Sequence, residues 1–117
     1  MFRTVLGAKI HRATITACDI EYDGSLEVDQ DLLNKADMLP AEKVEIYNIT
    51  NGARFSTYLI AGKRGSGEVG VNGAAARLCE LNDKVIIATY RMIDESEVRT
   101  FKPRIIRLDD NNDPIEG

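Results

Sequence analysis

The chain is cut into short runs of β-branched and apolar residues, each closed off by glycine, asparagine or proline, and this punctuation most limits its fold. Residues 4–17 carry Thr4, Val5, Ile10, Thr14, Ile15 and Thr16 and read as one long strand, or as two with a bend at Gly7. Residues 42–49 alternate, with Val44 and Ile46 set against Glu45 and Tyr47. Asn51-Gly52 is a hairpin signal. The return strand, residues 53–61, puts Arg54, Ser56 and Tyr58 on one face and Phe55, Thr57 and Leu59 on the other. Val69 and Val71 make a short strand, residues 84–90 a buried one and residues 103–108 the last. Residues 29–36 read as a short helix, with Asp29 as N-cap, Asp31 in the first turn, Lys35 near the end and Leu32, Leu33 and Ala36 facing inward. Met38-Leu39-Pro40 ends it. Many short strands with few helical turns predict a mainly β domain, a small barrel. The pattern does not select its topology.

At 117 residues, one domain spanning 1–117 is expected. Fifteen basic against 19 acidic residues give a net charge of −4, which argues against nucleic acid as the main partner. No apolar run approaches the ~18–20 residues of a membrane span, and Arg3 is followed by no long apolar segment of a leader, so no membrane partner is expected and the cytoplasm is the expected compartment. Cys18 and Cys79 lie far apart in sequence and read as reduced, packed thiols. The single histidine, His11, has no second histidine or ligand cluster around it, so no metal is expected. Residues 62–67 read as a flexible loop without the ending of a phosphate-binding loop.

One stretch carries chemistry: Glu21-Tyr22-Asp23-Gly24-Ser25-Leu26-Glu27-Val28. Gly24 can take φ > 0, or a strained conformation, without a Cβ clash. The Ser25 hydroxyl follows the Gly24 carbonyl directly. If the fold strains that peptide, the hydroxyl can attack it, moving the acyl group from N to O and leaving an ester. Gly-Ser alone is also an ordinary turn.

Three further stretches accompany it: Lys9-Ile10-His11-Arg12-Ala13, Thr50-Asn51-Gly52-Ala53-Arg54-Phe55-Ser56-Thr57-Tyr58 and Val71-Asn72-Gly73-Ala74-Ala75-Ala76-Arg77. In this order the set resembles the bacterial pyruvoyl-dependent aspartate 1-decarboxylases, from about Met1 to the region of Pro103. The resemblance implies a six-stranded double-psi β-barrel with short helices, assembled as a homotetramer with active sites between subunits. It implies a lyase that converts L-aspartate to β-alanine and CO2 for pantothenate and coenzyme A biosynthesis. Such an enzyme is made as a proenzyme that self-cleaves at Gly24-Ser25 into residues 1–24 (the β chain) and 25–117 (the α chain). The ester eliminates to dehydroalanine, hydrolysis releases ammonia, and position 25 is left as a pyruvoyl group that forms a Schiff base with the substrate. The electron sink is then built in, and neither pyridoxal phosphate nor a metal is implied.

The resemblance also assigns roles. Tyr58 is the proton donor to Cα, a task suited to a phenol, which is protonated at neutral pH. Arg54 grips a substrate carboxylate, and Lys9 holds the second, from a neighbouring subunit. Thr57 serves processing, hydrogen-bonding the Gly24 carbonyl, and also contacts substrate. Its alternation with Arg54 and Tyr58 then requires a bulge or a two-sided site. Gly73, Ala74 and Ala75 offer backbone N–H groups to the substrate, with Asn72 and Tyr22 as additional candidates and Asn72 as the possible cap of a helical turn. On the residues alone two other readings stay open. One is a non-enzymatic β-barrel binding or assembly module in which Gly24-Ser25 is a turn. The other is a self-cleaving serine hydrolase that uses His11 as its base.

Overall fold

The computed structural model describes residues 1–115, so residues 116 and 117 of the expected domain lie outside the described residues. The strands are β1 (Phe2–Thr14), β2 (Ala17–Asp19), β3 (Ser25–Asp29), β4 (Lys43–Asn48), β5 (Arg54–Gly62), β6 (Val69–Asn72), β7 (Lys84–Asp94), β8 (Arg104–Leu108) and β9 (Pro114–Ile115). One α-helix, α1 (Gln30–Ala36), and two 3₁₀ turns, Gly73–Leu78 and Glu95–Glu97, complete the described elements. The mainly β architecture with short helices is therefore the one the punctuation predicts. The strands form one hydrogen-bonded order, β2-β6-β3-β5-β4-β7-β1-β8-β9.

The parity of each strand decides what it buries. Ile10, Val44, Ile46, Leu59, Val85 and Ile87 are fully buried, each alternating with a more exposed neighbour. Strand β6 is buried along its whole length. Leu26 and Val28 of β3 join the same core as Val69 and Val71 of β6 and Leu33 of α1. Each such side chain is stabilised by about 1.5–3 kcal/mol on leaving water. Residues 20–24 are exposed and Ser25 and Leu26 are buried, so the Gly24–Ser25 peptide lies where an exposed segment enters the core.

The long N-terminal run is one strand, with register shifts at Gly7 and Arg12 in its ladder with β7; Arg12 takes a φ of 66°. The ends of the strand order approach each other through Asn112, in the turn between β8 and β9. Its side chain accepts from Thr14 N at 2.7 Å and donates to Thr14 O at 2.9 Å and Gly67 O at 2.8 Å. This joins the β8–β9 turn to the entry of β6.

Helix α1 is capped as expected, with Asp29 Oδ1 accepting from Asp31 N at 2.8 Å. The same carboxylate does more. It also accepts from Gly65 N at 3.0 Å and Gly67 N at 2.9 Å. The segment expected as a flexible loop at 62–67 is thus tied to a buried carboxylate 36 to 38 residues earlier in the chain. Local composition carries no sign of that distant anchor.

Candidate active site

Strand β3 begins at Ser25 and lies between two partners. On one side it pairs with β6 antiparallel, Ser25 opposite Asn72 and Leu26 opposite Val71. On the other it pairs with β5 in parallel, Leu26 opposite Leu59. Continued one step back to the first residue of β3, that register sets Ser25 beside Tyr58. These sequence-predicted residues therefore meet at one end of β3.

Ser25 is 1% exposed. Its hydroxyl donates to Asp23 O at 3.1 Å and accepts from Asn72 Nδ2 at 3.1 Å. Asn72 stands at the start of the 3₁₀ turn but makes no side-chain cap bond to it. The capping role expected for Asn72 is replaced by the bond to Ser25, because the β3–β6 register places the two side chains together.

Gly73 follows with a φ of +76°, a conformation that L side chains rarely adopt. A Cβ there would lie 2.5 Å from Gly24 Cα, 2.8 Å from Gly24 N and 3.3 Å from Tyr22 O. The two glycine backbones are in direct contact. Gly24 itself is not among the glycines with positive φ, and a Cβ built on it meets nothing within 4 Å. The positive φ expected at Gly24 thus belongs to its neighbour across the strands. Ala74 is exposed, Ala75 is half-buried and Tyr22 is exposed.

Strand β5 keeps its alternation. Arg54, Ser56 and Tyr58 are exposed, Phe55 and Thr57 half-buried and Leu59 buried. The β4–β5 ladder runs unbroken from Lys43 opposite Tyr58 to Tyr47 opposite Arg54, so β5 has no bulge there. Thr57 and Tyr58 therefore point to opposite faces of β5.

The cations stand farther off. Arg54 is four residues along β5 from Tyr58, about 13 Å at strand spacing. Its guanidinium carbon lies 4.1 Å from the ring centroid of Tyr47. Tyr47 in turn shares a 2.8 Å hydroxyl–hydroxyl hydrogen bond with Tyr90. The hydrogen bond with Tyr47 and then burial hold the Tyr90 phenol above its ordinary pKa, as a neutral group. Sequence reasoning missed both tyrosines as site candidates. Pairing outward from Asn51-Gly52 as a two-residue turn would set Ile49 against Arg54; the connection is instead residues 49–53, which brings Tyr47 opposite Arg54, and the sequence pattern carries no signal for that longer loop. Lys9 lies opposite Ala88, which lies opposite Glu45, which lies opposite Ser56. It therefore shares the outer sheet face with Arg54 but stands three strands from β5, about 14 Å. Contacts within one chain join Gly24, Ser25, Asn72 and Gly73, with Tyr58 next along β5 from the Leu26–Leu59 pair, while Arg54 and Lys9 stay apart from them.

His11 sits on β1, on that same outer face, opposite Ile86 and Arg107. Burial first, then the charges of Lys9, Arg107 and Arg12, lower its pKa. It is not one of the hydrogen-bond partners of Ser25, which takes Asp23 O and Asn72 instead. The Ser–His arrangement of the hydrolase reading is not formed in this chain. Cys18 and Cys79 are both free thiols, brought together so that Cys18 Sγ donates to Cys79 O at 3.5 Å. Burial pushes the Cys79 thiol up to about 11, and burial also raises Cys18. Neither is primed as a nucleophile. Among the described residues no three His, Cys, Asp or Glu side chains converge in a way that could hold a metal, and no helix is long and apolar enough to cross a membrane.

The sequence pattern of the aspartate decarboxylase family matches residues 1–115. The aspartate 1-decarboxylase of Ralstonia nicotianae is 55% identical over 112 residues, 96% of this chain and 93% of that protein. That of Thermoanaerobacter pseudethanolicus is 49% identical over 115 residues, 98% of each chain. That of Cupriavidus necator is 51% identical over 112 residues, again 96% of this chain and 93% of the relative.

Proposed function

This chain belongs to the aspartate decarboxylase family, and on that premise we propose that it removes the α-carboxylate of L-aspartate, giving β-alanine and CO2 for pantothenate biosynthesis in the cytoplasm, with a pyruvoyl group made from its own Ser25. The observation that carries the proposal is the pairing of Ser25 with Asn72 beside the Gly24–Gly73 contact. A hydroxyl held by one strand sits next to a peptide that rests on a bare glycine, where a Cβ would leave no room. Those are the local requirements for an acyl shift at position 25, so the residues present fit the group.

Self-cleavage runs through this chain's own atoms. Ser25 Oγ bonds to the Gly24 carbonyl carbon, the Gly24–Ser25 amide bond breaks, and the hydroxyl proton passes to the freed amine. Loss of the Ser25 Cα proton expels the Gly24 carboxylate and leaves dehydroalanine. Water then replaces the nitrogen, which departs as ammonia. The fragments are 1–24 and 25–117. Thr57, two residues before Leu59 on the strand that pairs with β3, is the candidate to hold the carbonyl on which the oxygen charge develops.

When formed, the pyruvoyl group supplies a ketone beside an amide carbonyl, which takes the substrate amine and draws off the electron pair left by CO2. The other work is done by side chains. Arg54 binds a substrate carboxylate as a two-pronged donor, its plane kept in place by stacking on Tyr47. Lys9 holds the second carboxylate. Tyr58 holds the proton that Cα takes when CO2 has left. Backbone N–H groups of Gly73, Ala74 and Ala75 approach the substrate closely because their side chains are small.

Arg54 stands about 13 Å along β5 from Tyr58 and Lys9 four strands from β3, away from the Ser25 cluster of their own chain, which supports a homotetramer with the site shared between subunits. The ribbon formed by Phe2–Leu6 and Tyr90–Asp94 extends past the ladders with β4 and β8 and exposes Phe2 and Met92. A two-stranded ribbon is marginal by itself, so a neighbouring copy is a fitting cover.

Intact-mass analysis together with a β-alanine assay tests the whole reading. The expected result is a 24-residue and a 93-residue fragment, the latter lighter by one ammonia than a fragment that begins with serine. Ser25→Ala is expected to remain one folded, inactive chain. Decarboxylation by an uncleaved Ser25→Ala chain would overturn it.

A further inference from the structure

We propose that Gly73 is a positioning residue for self-cleavage, and that the missing side chain the scissile peptide requires is that of Gly73, not that of Gly24. This rests on the self-cleavage reading above and adds the residue that sets the geometry of its first step.

The argument is steric. Gly24 does not take a positive φ, and a Cβ added to it would project into open space, with no atom within 4 Å. Nothing in its own surroundings demands glycine. Gly73 has a φ of +76°, and a Cβ added to it would lie 2.5 Å from Gly24 Cα and 2.8 Å from Gly24 N. Carbon atoms at rest stay about 3.5–4.0 Å apart, so a side chain at position 73 would push Gly24 away by about 1 Å.

The direction of that push matters. Ser25 and Leu26 are anchored in the core, and Asn72 holds Ser25 Oγ at 3.1 Å. Residues 20–24 are exposed, so a displacement of Gly24 toward solvent meets no core packing. A Cβ on Gly73 therefore displaces the acyl side of the peptide while the nucleophile stays in place. The Oγ–carbon bond forms and the carbon–nitrogen bond breaks only if the Gly24 carbonyl carbon lies within reach of Oγ. Consecutive residues 72 and 73 thus divide the task, Asn72 holding the hydroxyl and Gly73 leaving room for the Gly24 backbone N and Cα.

The test compares purified full-length wild type, Gly24→Ala, Gly73→Ala and Gly73→Asn. Cleavage is followed over time by denaturing gel and intact mass, and folding by cooperative thermal melting. Gly24→Ala, whose Cβ meets open space, is expected to slow cleavage about 10-fold less than either Gly73 variant does. Gly73→Ala and Gly73→Asn are expected to melt cooperatively and to cleave about 100-fold more slowly, the cost of an ångström of misplacement. Asparagine tolerates positive φ better than alanine does. Equal slowing in both assigns the effect to the Cβ and not to backbone strain. Recovery of wild-type cleavage in Gly73→Asn, cleavage of Gly73→Ala within 3-fold of wild type, or a block in Gly24→Ala as deep as in Gly73→Ala each overturns the proposal. Loss of cooperative melting in both Gly73 variants overturns it too, since Gly73 would then serve the fold and not the cleavage. An uncleaved wild type would instead remove the parent reading, and this proposal with it.

Discussion

Asn72 donates its side-chain amide to Ser25 Oγ at 3.1 Å, and the same two residues face each other in the β3–β6 ladder. The hydroxyl is therefore oriented by a donor fixed to the neighbouring strand. Its own proton is directed at Asp23 O. Asn72→Ala would leave a buried serine oxygen without its donor, at a cost of about 1–3 kcal/mol. Self-cleavage is expected to slow by about 10-fold, read as the half-time of the uncut chain on a denaturing gel. Cleavage at the wild-type rate would show that this hydrogen bond is not used.

Tyr58 lies on the exposed face of β5, so Tyr58→Phe removes a hydroxyl without opening a core cavity. The variant is expected to fold and to cut. β-Alanine formation per processed chain should then fall by about 10²–10⁴, the usual cost of losing a positioned acid. Mass spectrometry of position 25 after turnover should show alanine accumulating there, as protons reach the wrong carbon. A processed Tyr58→Phe enzyme with unchanged turnover and no added inactivation would take Tyr58 out of this role.

Thr57 takes the opposite part. Thr57→Val keeps the side chain's shape on the half-buried face of β5 and removes the hydroxyl. The chain is expected to melt like wild type and to cleave slowly, by about 10²-fold if the hydroxyl stabilises the developing oxyanion. Intact mass against time decides it, and normal cleavage would assign that task elsewhere.

Arg54 tests the substrate end. Its guanidinium carbon lies 4.1 Å from the centre of the Tyr47 ring, and lysine offers neither a planar cation for that ring nor the two-pronged grip. Arg54→Lys and Arg54→Ala are both expected to self-cleave normally. Both should lose kcat/KM for aspartate, by about 2–5 kcal/mol in the alanine variant if the ion pair is desolvated. Tyr47→Phe keeps the stacking ring and loses only the bond to Tyr90, so its loss should be much smaller than that of Tyr47→Ala. Equal losses in the two Tyr47 variants would show that stacking contributes nothing.

Asp29 links the helix cap to the loop before β6, and acid is the way to probe it. Burial alone raises this carboxyl, but bonds from the N–H groups of Gly67, Asp31 and Gly65, with the charge of Arg64, outweigh it and hold the group below the ordinary range. A folded pKa below the unfolded value of about 3.9 stabilises the fold above that pH. The stabilisation is lost as pH falls through the folded pKa. Asp29→Asn, which cannot accept all three bonds, is expected to be less stable by about 1–3 kcal/mol at pH 6. Its stability should also decline less steeply toward pH 3. Urea midpoints at the two pH values measure both effects, and parallel declines would show that Asp29 is not the titrating group.

What the sequence determined by itself was local. Period-two alternation at Val44, Ile46, Phe55, Thr57 and Leu59 set the faces of β4 and β5, and Asp29 with Leu32, Leu33 and Ala36 set the helix, because neighbours within a few residues decide those outcomes. The Gly24-Ser25 peptide and its companion motifs were legible for the same reason: their chemistry is written in adjacent residues. Partners came only with the tertiary structure. Asn72 could have capped its own turn, yet its amide meets Ser25, 47 residues away. Gly24 was the glycine whose freedom seemed to matter, yet the left-handed backbone and the close contact fall to Gly73. Asp29 was a cap and became the anchor of a loop, and Lys9, grouped with Arg54 by motif, stands three strands from β5. Strand order and register decide such pairings, and an alternating pattern records which face a residue takes but not which strand lies beside it.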